Sequence, residues 1–360
     1  MIGLRSRVPR IAKHPTELIR TLILACALAL AAMLSIPGLA AAKKFTAANW
    51  DQPAQQKVVE AGLMTDLAPG EFAGSAALTP LEASQALAAL TALATAQEPP
   101  TPTSPPAVQA GATLTVTGFD ALAVDELGLG EVAAHVEQTA SSAGLRPPSY
   151  FGTEVVARYL GLRYDHPAGE DSLELYPWNA ITRAEAAHSF AVILSSGEWA
   201  VENARETLAA FSLPQYTANQ LRVLRIAVSK IGMPYVWGGT TDNTADGLEH
   251  GGYDCSGFAW RVFKVSGLPW GARILGRTAA EQAGEIPKRA RVRLANVQPA
   301  DLLFFGSAHF NSKATGSNVI HEAIALSSEW AIHSSGQGVY ILPLTSGWLN
   351  QSFTWARRVI

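Results

Sequence analysis

The chain has 360 residues, of which 48% are hydrophobic and 16% are charged, and its formal net charge is −3. This length predicts about two domains with appendages, and the apolar fraction is large enough for buried cores. The slightly acidic balance argues against nucleic acid as a partner, because binding to phosphates requires a basic surface.

The N-terminus has the features of an export signal. Basic residues over 5–20 precede an uncharged stretch, 21–42, that contains a helix-breaking Pro37-Gly38 pair before a run of small residues. These features are typical of a cleavable signal peptide. We therefore expect residues 1–42 to be removed, the mature chain to be secreted to the cell envelope, and no stable membrane insertion to remain. The alternative is an uncleaved anchor, since the stretch approaches the ~20 residues needed to cross a bilayer.

The number of cysteines limits which thiol could take part in a reaction. The chain has two cysteines, and removal of the signal would take Cys26 with it. Cys255 would then be the one thiol of the mature chain, in an oxidising compartment where it has no internal disulfide partner. Such a thiol is either a buried, unreactive side chain or a reactive group, and the residues around it in the sequence indicate which of the two it is.

The front half, 43–215, has a helical pattern in which one order of elements recurs. Val58–Leu63 and Val155–Leu162 each indicate a helix end closed by a Gly-Leu pair. Each is followed by a loop and by a new helix that a capping box opens, Thr79–Glu82 in the first copy and Thr182–Glu185 in the second. The pattern predicts a mainly α-helical repeat region.

A proline-rich linker over 98–110 separates the first copy, 43–97, from further copies over 111–215. The order of elements resembles S-layer-homology modules, most specifically at Ile181–Ala187. In those modules the arginine that matches Arg183 contacts anionic cell-wall polymer. The resemblance implies that the front half anchors the chain to such a polymer through Arg183. A plain spacer, or a lid over a catalytic cleft, is the alternative.

From residue 216 the pattern changes. An amphipathic helix is predicted over Leu221–Ile231, and a second follows Cys255 up to a stop at Gly267. Short β-like runs then occupy Leu302–Phe305, Val319–Leu326, Trp330–His333, Gly338–Leu342 and Phe353–Val359. This order predicts an α+β domain over 216–360 and excludes a wound parallel sheet.

Cys255 lies at the predicted N-terminus of a helix. The free N–H groups and the dipole of such a helix end favour the thiolate, which is the attacking form of cysteine. Gly251, Gly252 and Gly257 surround Cys255 and would let backbone and substrate come close. The alternative is a small hydrophobic cysteine in the core.

A nucleophilic cysteine needs a base, and two histidines have suitable positions. His321 opens one strand-like run and His333 ends the next, so neighbouring antiparallel strands would bring them side by side. One would take the proton from Cys255 and the other would fix the tautomer of the first. The alternative is a structural pair of hydrogen-bonded histidines. His250 and His309 lie in polar loops where nothing orients them.

These residues lie in segments that resemble the NlpC-type family of cell-wall cysteine peptidases over about 218–360. The matching segments are Pro234–Gly239, Asp254–Phe258, Pro299–Phe305 and Ile332–Ser335. The resemblance implies a papain-like domain, in which the helix that carries the cysteine packs on an antiparallel sheet. It also implies hydrolysis of the D-Glu–diamino acid bond in peptidoglycan stems, and a location at the cell wall.

The resemblance also assigns roles to residues. It implies that Cys255 is the nucleophile, His321 the base and His333 the orienting third residue. It further implies that Tyr235, Asp254 and Ser256 line the pocket for the N-terminal side of the peptide. Two features depart from the family pattern. Glu322 replaces a small apolar residue after the base, and the loop before the base, 306–320, is long.

Other functions stay open at this point. An amidase or acyl transferase would use the same Cys-His pair, since all form the same acyl-thiol intermediate. A wall-binding or adhesive protein with a silent catalytic domain is a further alternative. We expect no cofactor and no metal, because the chain has no Cys-x-x-Cys or His-x-x-x-His spacing.

Overall fold

The computed structural model describes residues 50–94, 113–244 and 247–360. The predicted signal peptide, 1–42, and the predicted linker, 98–110, therefore lie outside the described residues. Within the described ranges, none of the helices is both long and apolar enough to cross a membrane.

The front half is built from helices, as predicted. They are α1 (Gln52–Glu60), α2 (Pro80–Ala94), α3 (Val116–Glu126), α4 (Gly130–Ser142), α5 (Phe151–Tyr159) and α6 (Arg183–Ala209). Helix α6 is kinked at Gly197, which has a φ of 65°. Glycine adopts that left-handed conformation without the steric penalty that a side chain would bring.

The two predicted capping boxes form to different extents. Thr79 accepts a hydrogen bond from the Glu82 N–H (3.2 Å), and the Glu82 carboxylate accepts one from the Thr79 N–H (3.0 Å). Thr182 likewise accepts from the Glu185 N–H at 3.2 Å. The Glu185 carboxylate, however, lies 3.0 Å from the His166 Nε2 atom and does not turn back to the cap. The second box is therefore half formed, because a tertiary contact competes for its glutamate.

Arg183 has a position that contradicts the predicted role in binding wall polymer. The residue is 2% exposed, and its guanidinium donates to the Phe72 carbonyl (2.9 Å) and the Thr65 carbonyl (2.6 Å). The same group forms an ion pair with Glu82 and stacks over the Phe72 ring. The loop that precedes α2 thus encloses the arginine. A guanidinium that is buried and whose three nitrogens all donate to internal partners has no means to contact an external anion.

The C-terminal half is an α+β domain, as predicted. Its helices are α7 (Ala218–Val228), α8 (Cys255–Val265), α9 (Ala279–Gly284) and α10 (Gly347–Ser352). Its strands are β1 (Thr240–Thr241), β2 (Gly252–Tyr253), β3 (Arg291–Val292), β4 (Leu302–Phe305), β5 (His321–Ala325), β6 (Trp330–Ser335), β7 (Gly338–Pro343) and β8 (Phe353–Arg357). Six of them form an antiparallel sheet in the order β3-β8-β4-β5-β6-β7.

The central sheet has two apolar faces, because its middle strands are buried on both sides. One face packs Phe304, Ile324 and Ile332 against Phe258 and Val262 of α8. On the other face, Leu303, Phe305 and four strand alanines belong to a second buried cluster that includes Leu349 of α10. Helix α8 therefore lies flat on the sheet, which is the papain-like arrangement expected from the sequence.

The two halves share one hydrophobic core. Val155 and Ala157 of α5 belong to the same buried cluster as Phe258 and Ile341 of the C-terminal half. The shared core fixes the front half against the C-terminal half.

Polar contacts cross the same junction. The buried Arg158 guanidinium donates to the Gly232 carbonyl (2.7 Å) and pairs with Glu154 (2.8 Å). It also donates to the Gln337 carbonyl, and the Gln337 side chain accepts from the Arg163 N–H (2.9 Å). These buried, charge-assisted bonds fix the front half beside the turn between β6 and β7.

Candidate active site

Helix α8 begins at Cys255 because Asp254 caps it. The Asp254 Oδ1 atom accepts a hydrogen bond from the Gly257 N–H at 2.6 Å, which satisfies a free donor of the first turn. Position 257 must be glycine because another backbone segment passes close to it. A Cβ atom at that position would lie 2.0 Å from the Gly239 carbonyl oxygen. The backbone around Gly239 thus runs directly across the start of the helix and fixes the position of Cys255.

The sheet brings the two histidines together. Strands β5 and β6 are antiparallel and pair Ile324 with Ile332 and Ala325 with Ala331. Continued along the strands, this register puts His321 and His333 on the same face as diagonal neighbours. The His321 Nε2 atom lies 2.8 Å from the His333 Nδ1 atom. His321 therefore keeps its Nδ1 atom for another partner.

Cys255 and His321 line one cavity of about 1230 Å³. Tyr235, Asp254 and Ser256 line the same cavity, so five of the residues singled out in the sequence surround one space. His333 lies behind His321 and is 2% exposed. Arg183 is not among the lining residues.

The cysteine and the histidine are both neutral at rest. Burial raises the pKa of the Cys255 thiol to about 12, and the negative charge of Asp254 adds to this shift. Burial also lowers the pKa of His321 to about 4. The prediction of a thiolate stabilised by the helix end is therefore wrong for the resting protein. Loss of solvation outweighs the helix end and the backbone N–H groups of Glu322 and Ser256.

A neutral His321 is suited to act as a base, provided that it has the right tautomer. Burial, and then the charge of His321, lower the pKa of His333 well below its usual range. If the His321 Nε2–H donates to the His333 Nδ1 atom, the His321 Nδ1 atom keeps a free lone pair. The opposite tautomer would put a proton on that atom. His333 can thus act by holding His321 in the productive form.

Asp254 is not a free carboxylate. Arg277 donates to both of its oxygens, at 3.0 Å and 2.7 Å, and the Gly238 N–H donates to it at 3.0 Å. Arg277 also donates to the Ser256 hydroxyl at 3.1 Å and lines the cavity. Sequence reasoning missed Arg277. A basic residue directly before a capping box, Thr278–Glu281, is the signal that could have placed it near a helix start.

Glu322 occupies the position after the base where the family pattern has a small apolar residue. It is completely buried, and both carboxylate oxygens lack a hydrogen-bond partner within the described residues. Burial raises its pKa well above the usual range. The carboxyl group is therefore held protonated, since an unpaired buried charge would be far more costly.

The remaining histidines of this half lie elsewhere, as expected. The His250 Nδ1 atom lies 2.7 Å from the Gly251 carbonyl oxygen, and the ring packs on Tyr176. His309 is exposed. Neither lines the cavity.

The front half supplies part of the cavity wall. Asp165, His166 and Asp171, with Pro167 and Ala168 between them, line the same space as Cys255. The sequence left a lid over the cleft open as an alternative, but it did not identify these residues. Among the described residues, no group of three or more His, Cys, Asp or Glu side chains is arranged to hold a metal ion.

The C-terminal half of the chain is similar in sequence to known proteins. Residues 232–358 match the NlpC/P60 family. The chain is 29% identical over 126 residues to the bifunctional muramidase/DL-endopeptidase CwlT of Bacillus subtilis, which covers 35% of this chain and 32% of that protein. It is 31% identical over 118 residues to a gamma-D-glutamyl-L-lysine dipeptidyl-peptidase of Bacillus subtilis, covering 32% of each chain.

A solved NlpC/P60 family protein from Bacillus cereus is 25% identical, covers 41% of this chain and 42% of its own, and has a TM-score of 0.30. The chain thus spans about a third of the length of the curated relatives it matches. It carries an NlpC/P60 domain at its C-terminus, over 232–358.

Proposed function

We propose that this chain is a cysteine peptidase that hydrolyses the peptide stem of peptidoglycan, at a bond between D-Glu and a diamino acid. The observation that carries the proposal is the cavity in which Cys255, at the start of α8, and His321, bonded to His333, line one space. The NlpC/P60 match and the relatives named as endopeptidases support it. The predicted signal peptide supports secretion to the cell wall or cell envelope.

The reaction begins with coupled proton transfer and attack. The His321 Nδ1 atom takes the thiol proton while the Cys255 sulfur forms a bond to the scissile carbonyl carbon. The two events occur together, because the resting pair is neutral and a free thiolate is costly in this site. The electron pair of the carbonyl moves to its oxygen, and the first turn of α8 supplies positive potential for the developing charge.

The tetrahedral species then breaks down. The carbon–nitrogen bond breaks, and the protonated His321 gives its proton to the leaving amine. This leaves an acyl-thioester on Cys255. His321, neutral again, removes a proton from a water molecule that attacks the thioester. The carbon–sulfur bond breaks, the acid product leaves, and the protonated His321 returns its proton to the sulfur, so the enzyme is regenerated.

The direct test is hydrolysis of purified wall and of defined wall peptides by the full chain, followed by mass spectrometry of the products. We expect the wild type to release a fragment that ends in D-Glu, and Cys255→Ser to lose at least about a hundred-fold in rate. Cys26→Ser is the matched control and should have no effect. Cleavage between glycan and peptide would instead indicate an amidase, and a Cys255→Ser variant of full activity would remove the nucleophile from the mechanism.

A further inference from the structure

One tryptophan at the surface contacts the proposed base. The Trp348 ring packs against the His321 ring, with the centroids 5.4 Å apart and the ring planes at 67°, and against the Phe305 ring at 5.8 Å. Trp348 is 49% exposed, whereas His321 is 8% exposed. One side of the indole therefore faces solvent while another side covers the imidazole.

Three aromatic rings enclose His321. The His333 ring on β6 is nearly perpendicular to it, with the centroids 5.0 Å apart, and the Phe305 ring on β4 lies at 5.9 Å. The core fixes both of these rings, because His333 and Phe305 are buried. Trp348 is the ring between His321 and solvent, so its loss would open that side of the imidazole to water.

Trp348 lies outside the catalytic cleft. Cys255 and His321 line the cavity, but Trp348 is not among the residues that line it. The indole thus contacts His321 from a side that does not form the cleft wall. Trp348 is therefore placed to act on the base and not on a bound substrate.

Helix α10 fixes the position of Trp348. The next residue, Leu349, is 1% exposed and belongs to the second buried cluster of the sheet. At the end of the helix, the Ser352 carbonyl accepts a hydrogen bond from the Gly306 N–H at 2.7 Å, directly after β4. The helix is thus attached to the sheet, and the indole is held over the imidazole by packing and not by chance contact.

The groups around His321 show why exclusion of water matters. Its titratable neighbours are His333 on β6 and Cys255 on α8, and burial keeps both of them neutral at rest. From β4 and α10 the neighbours are the rings of Phe305 and Trp348, which do not ionise. Burial is also what lowers the pKa of His321. A water molecule admitted beside the imidazole would solvate its protonated form and compete with the bond to His333.

We propose that Trp348 is a positioning residue for the reaction of Cys255. Its indole closes the outer side of His321, holds the imidazole in its bond to His333 and keeps water from it. The neutral base with a free Nδ1 atom is thus maintained by a side chain that does not line the cleft. This rests on the proposed function, because it concerns the same base.

The first test measures the base itself, so that it does not depend on turnover. The pKa of His321 is determined in the full chain by NMR titration of the histidine rings, with His321→Gln to assign the signal. We expect Trp348→Ala to raise this pKa from about 4 towards the ordinary value of about 6.5. Trp348→Phe keeps an aromatic ring at the position and should keep the pKa close to that of the wild type.

The second test measures hydrolysis of the same wall peptides. We expect Trp348→Ala to lower kcat about ten-fold with KM changed less than about two-fold, because the base is less well placed while the lining of the cleft is intact. Trp348→Phe should restore most of the rate. A merely structural role of the indole would lower the melting temperature without moving the pKa of His321 or kcat.

The controls separate shielding of the base from folding. Trp199→Ala removes an indole that is 76% exposed on α6 and should change neither readout. Trp348→Gln is a second variant without the ring, so that the result does not depend on the folding of one protein. An unchanged pKa of His321 in both ring-free variants, a raised KM at constant kcat, or an equal effect of Trp199→Ala would overturn the proposal. Failure of the proposed function would appear separately, as absence of hydrolysis by the wild type, and the NMR titration would still decide whether Trp348 shields the imidazole.

Discussion

At the scale of single residues, the two histidines are expected to contribute unequally. His321→Ala removes the group that moves the proton and should lower kcat/KM about a thousand-fold or more. His333→Ala leaves that group in place without its orienting partner, so we expect a loss of about ten- to a hundred-fold. His309→Ala is the control. Equal losses, or the reverse order, would mean that the roles are exchanged.

The ionisation of Cys255 is a second test at this scale. Burial raises the pKa of the thiol, so the reactive thiolate becomes populated only as the pH rises. In a Cys26→Ser background, the rate of alkylation by iodoacetamide should rise with a midpoint above the ordinary value of about 8.5. A plateau already reached at mildly acidic pH would instead mean that the pair rests as thiolate and imidazolium.

His321 should make the protein less stable in acid. Its folded pKa is lowered to about 4, whereas an unfolded histidine titrates near 6.5. Between these values the unfolded chain binds a proton that the folded site excludes, so stability is present above 6.5 and is lost as the pH falls towards 4.

The loss should amount to about 3 kcal/mol, which follows from the size of the shift. Urea unfolding of wild type and His321→Gln at pH 7 and pH 4.5 checks this. The wild type should lose more stability than the variant over that interval.

The contribution of Glu322 to stability has the opposite dependence on pH. The pKa of Glu322 is raised in the folded protein, so the site holds the protonated form at low pH. Stability is lost as the pH rises above the pKa that the glutamate has in the unfolded chain. Glu322→Gln removes the ionisable group at nearly constant volume. We expect the variant to be more stable than the wild type at pH 8 by about 1–3 kcal/mol, with no difference at pH 4. Glu131→Gln, at an exposed position of α4, should show no such pH-dependent gain.

At the scale of elements, the start of α8 depends on a glycine. In Gly257→Ala the new methyl group would overlap the Gly239 carbonyl, so either the helix or the crossing backbone must move. We expect a loss of several kcal/mol in stability, about the cost of an overpacked core site. Gly284→Ala in α9 is the matched control, because its nearest neighbour would lie 3.9 Å away. The melting temperatures of both variants, measured by thermal unfolding, test this expectation.

Elements were predictable where local pattern and packing agree. Leu302–Phe305 is a strand with the bounds that its apolar run predicts, and α8 begins at Cys255 because Asp254 and Gly257 form a local cap. Arg277 and Asp165 could not be assigned to the site, because distant segments bring them there. Arg183 was misassigned for a similar reason, since a motif does not reveal that a preceding loop will enclose it.

The pKa values could not be read from the sequence either. The helix end at Cys255 is local and was predicted, but desolvation depends on everything packed around the sulfur, including β5. Desolvation is the larger effect here. Glu322 is the intermediate case, because the family pattern identified it as a departure while the fold determined that it is buried without a hydrogen-bond partner among the described residues.

At the scale of the whole molecule, the shared core means that the stability of the C-terminal half depends on the front half. A fragment of residues 216–360 would expose the apolar side chains that α5 covers and would leave the partners of Arg158 unbonded. We expect this fragment to be far less soluble and to unfold at least about 10 °C below the full chain. Calorimetry of both proteins checks this, and equal melting temperatures would show that the halves are independent.

The anchoring role of the front half stays a prediction, now without its proposed contact. Arg183 is internal, so binding of the full chain to an anionic wall polymer would have to use other residues. Arg183→Ala should lower stability, because it leaves Glu82 and two carbonyl groups without their partner.

The neutral resting state of Cys255 has one more consequence, which concerns how long the thiol survives in the presence of oxidants. Peroxides and foreign disulfides both react with thiolates and much less with thiols. A thiol with a pKa of about 12 presents almost no thiolate to them until a substrate carbonyl is in place. The desolvation that makes attack depend on His321 therefore also slows oxidation of the Cys255 sulfur, without a reductase to restore it.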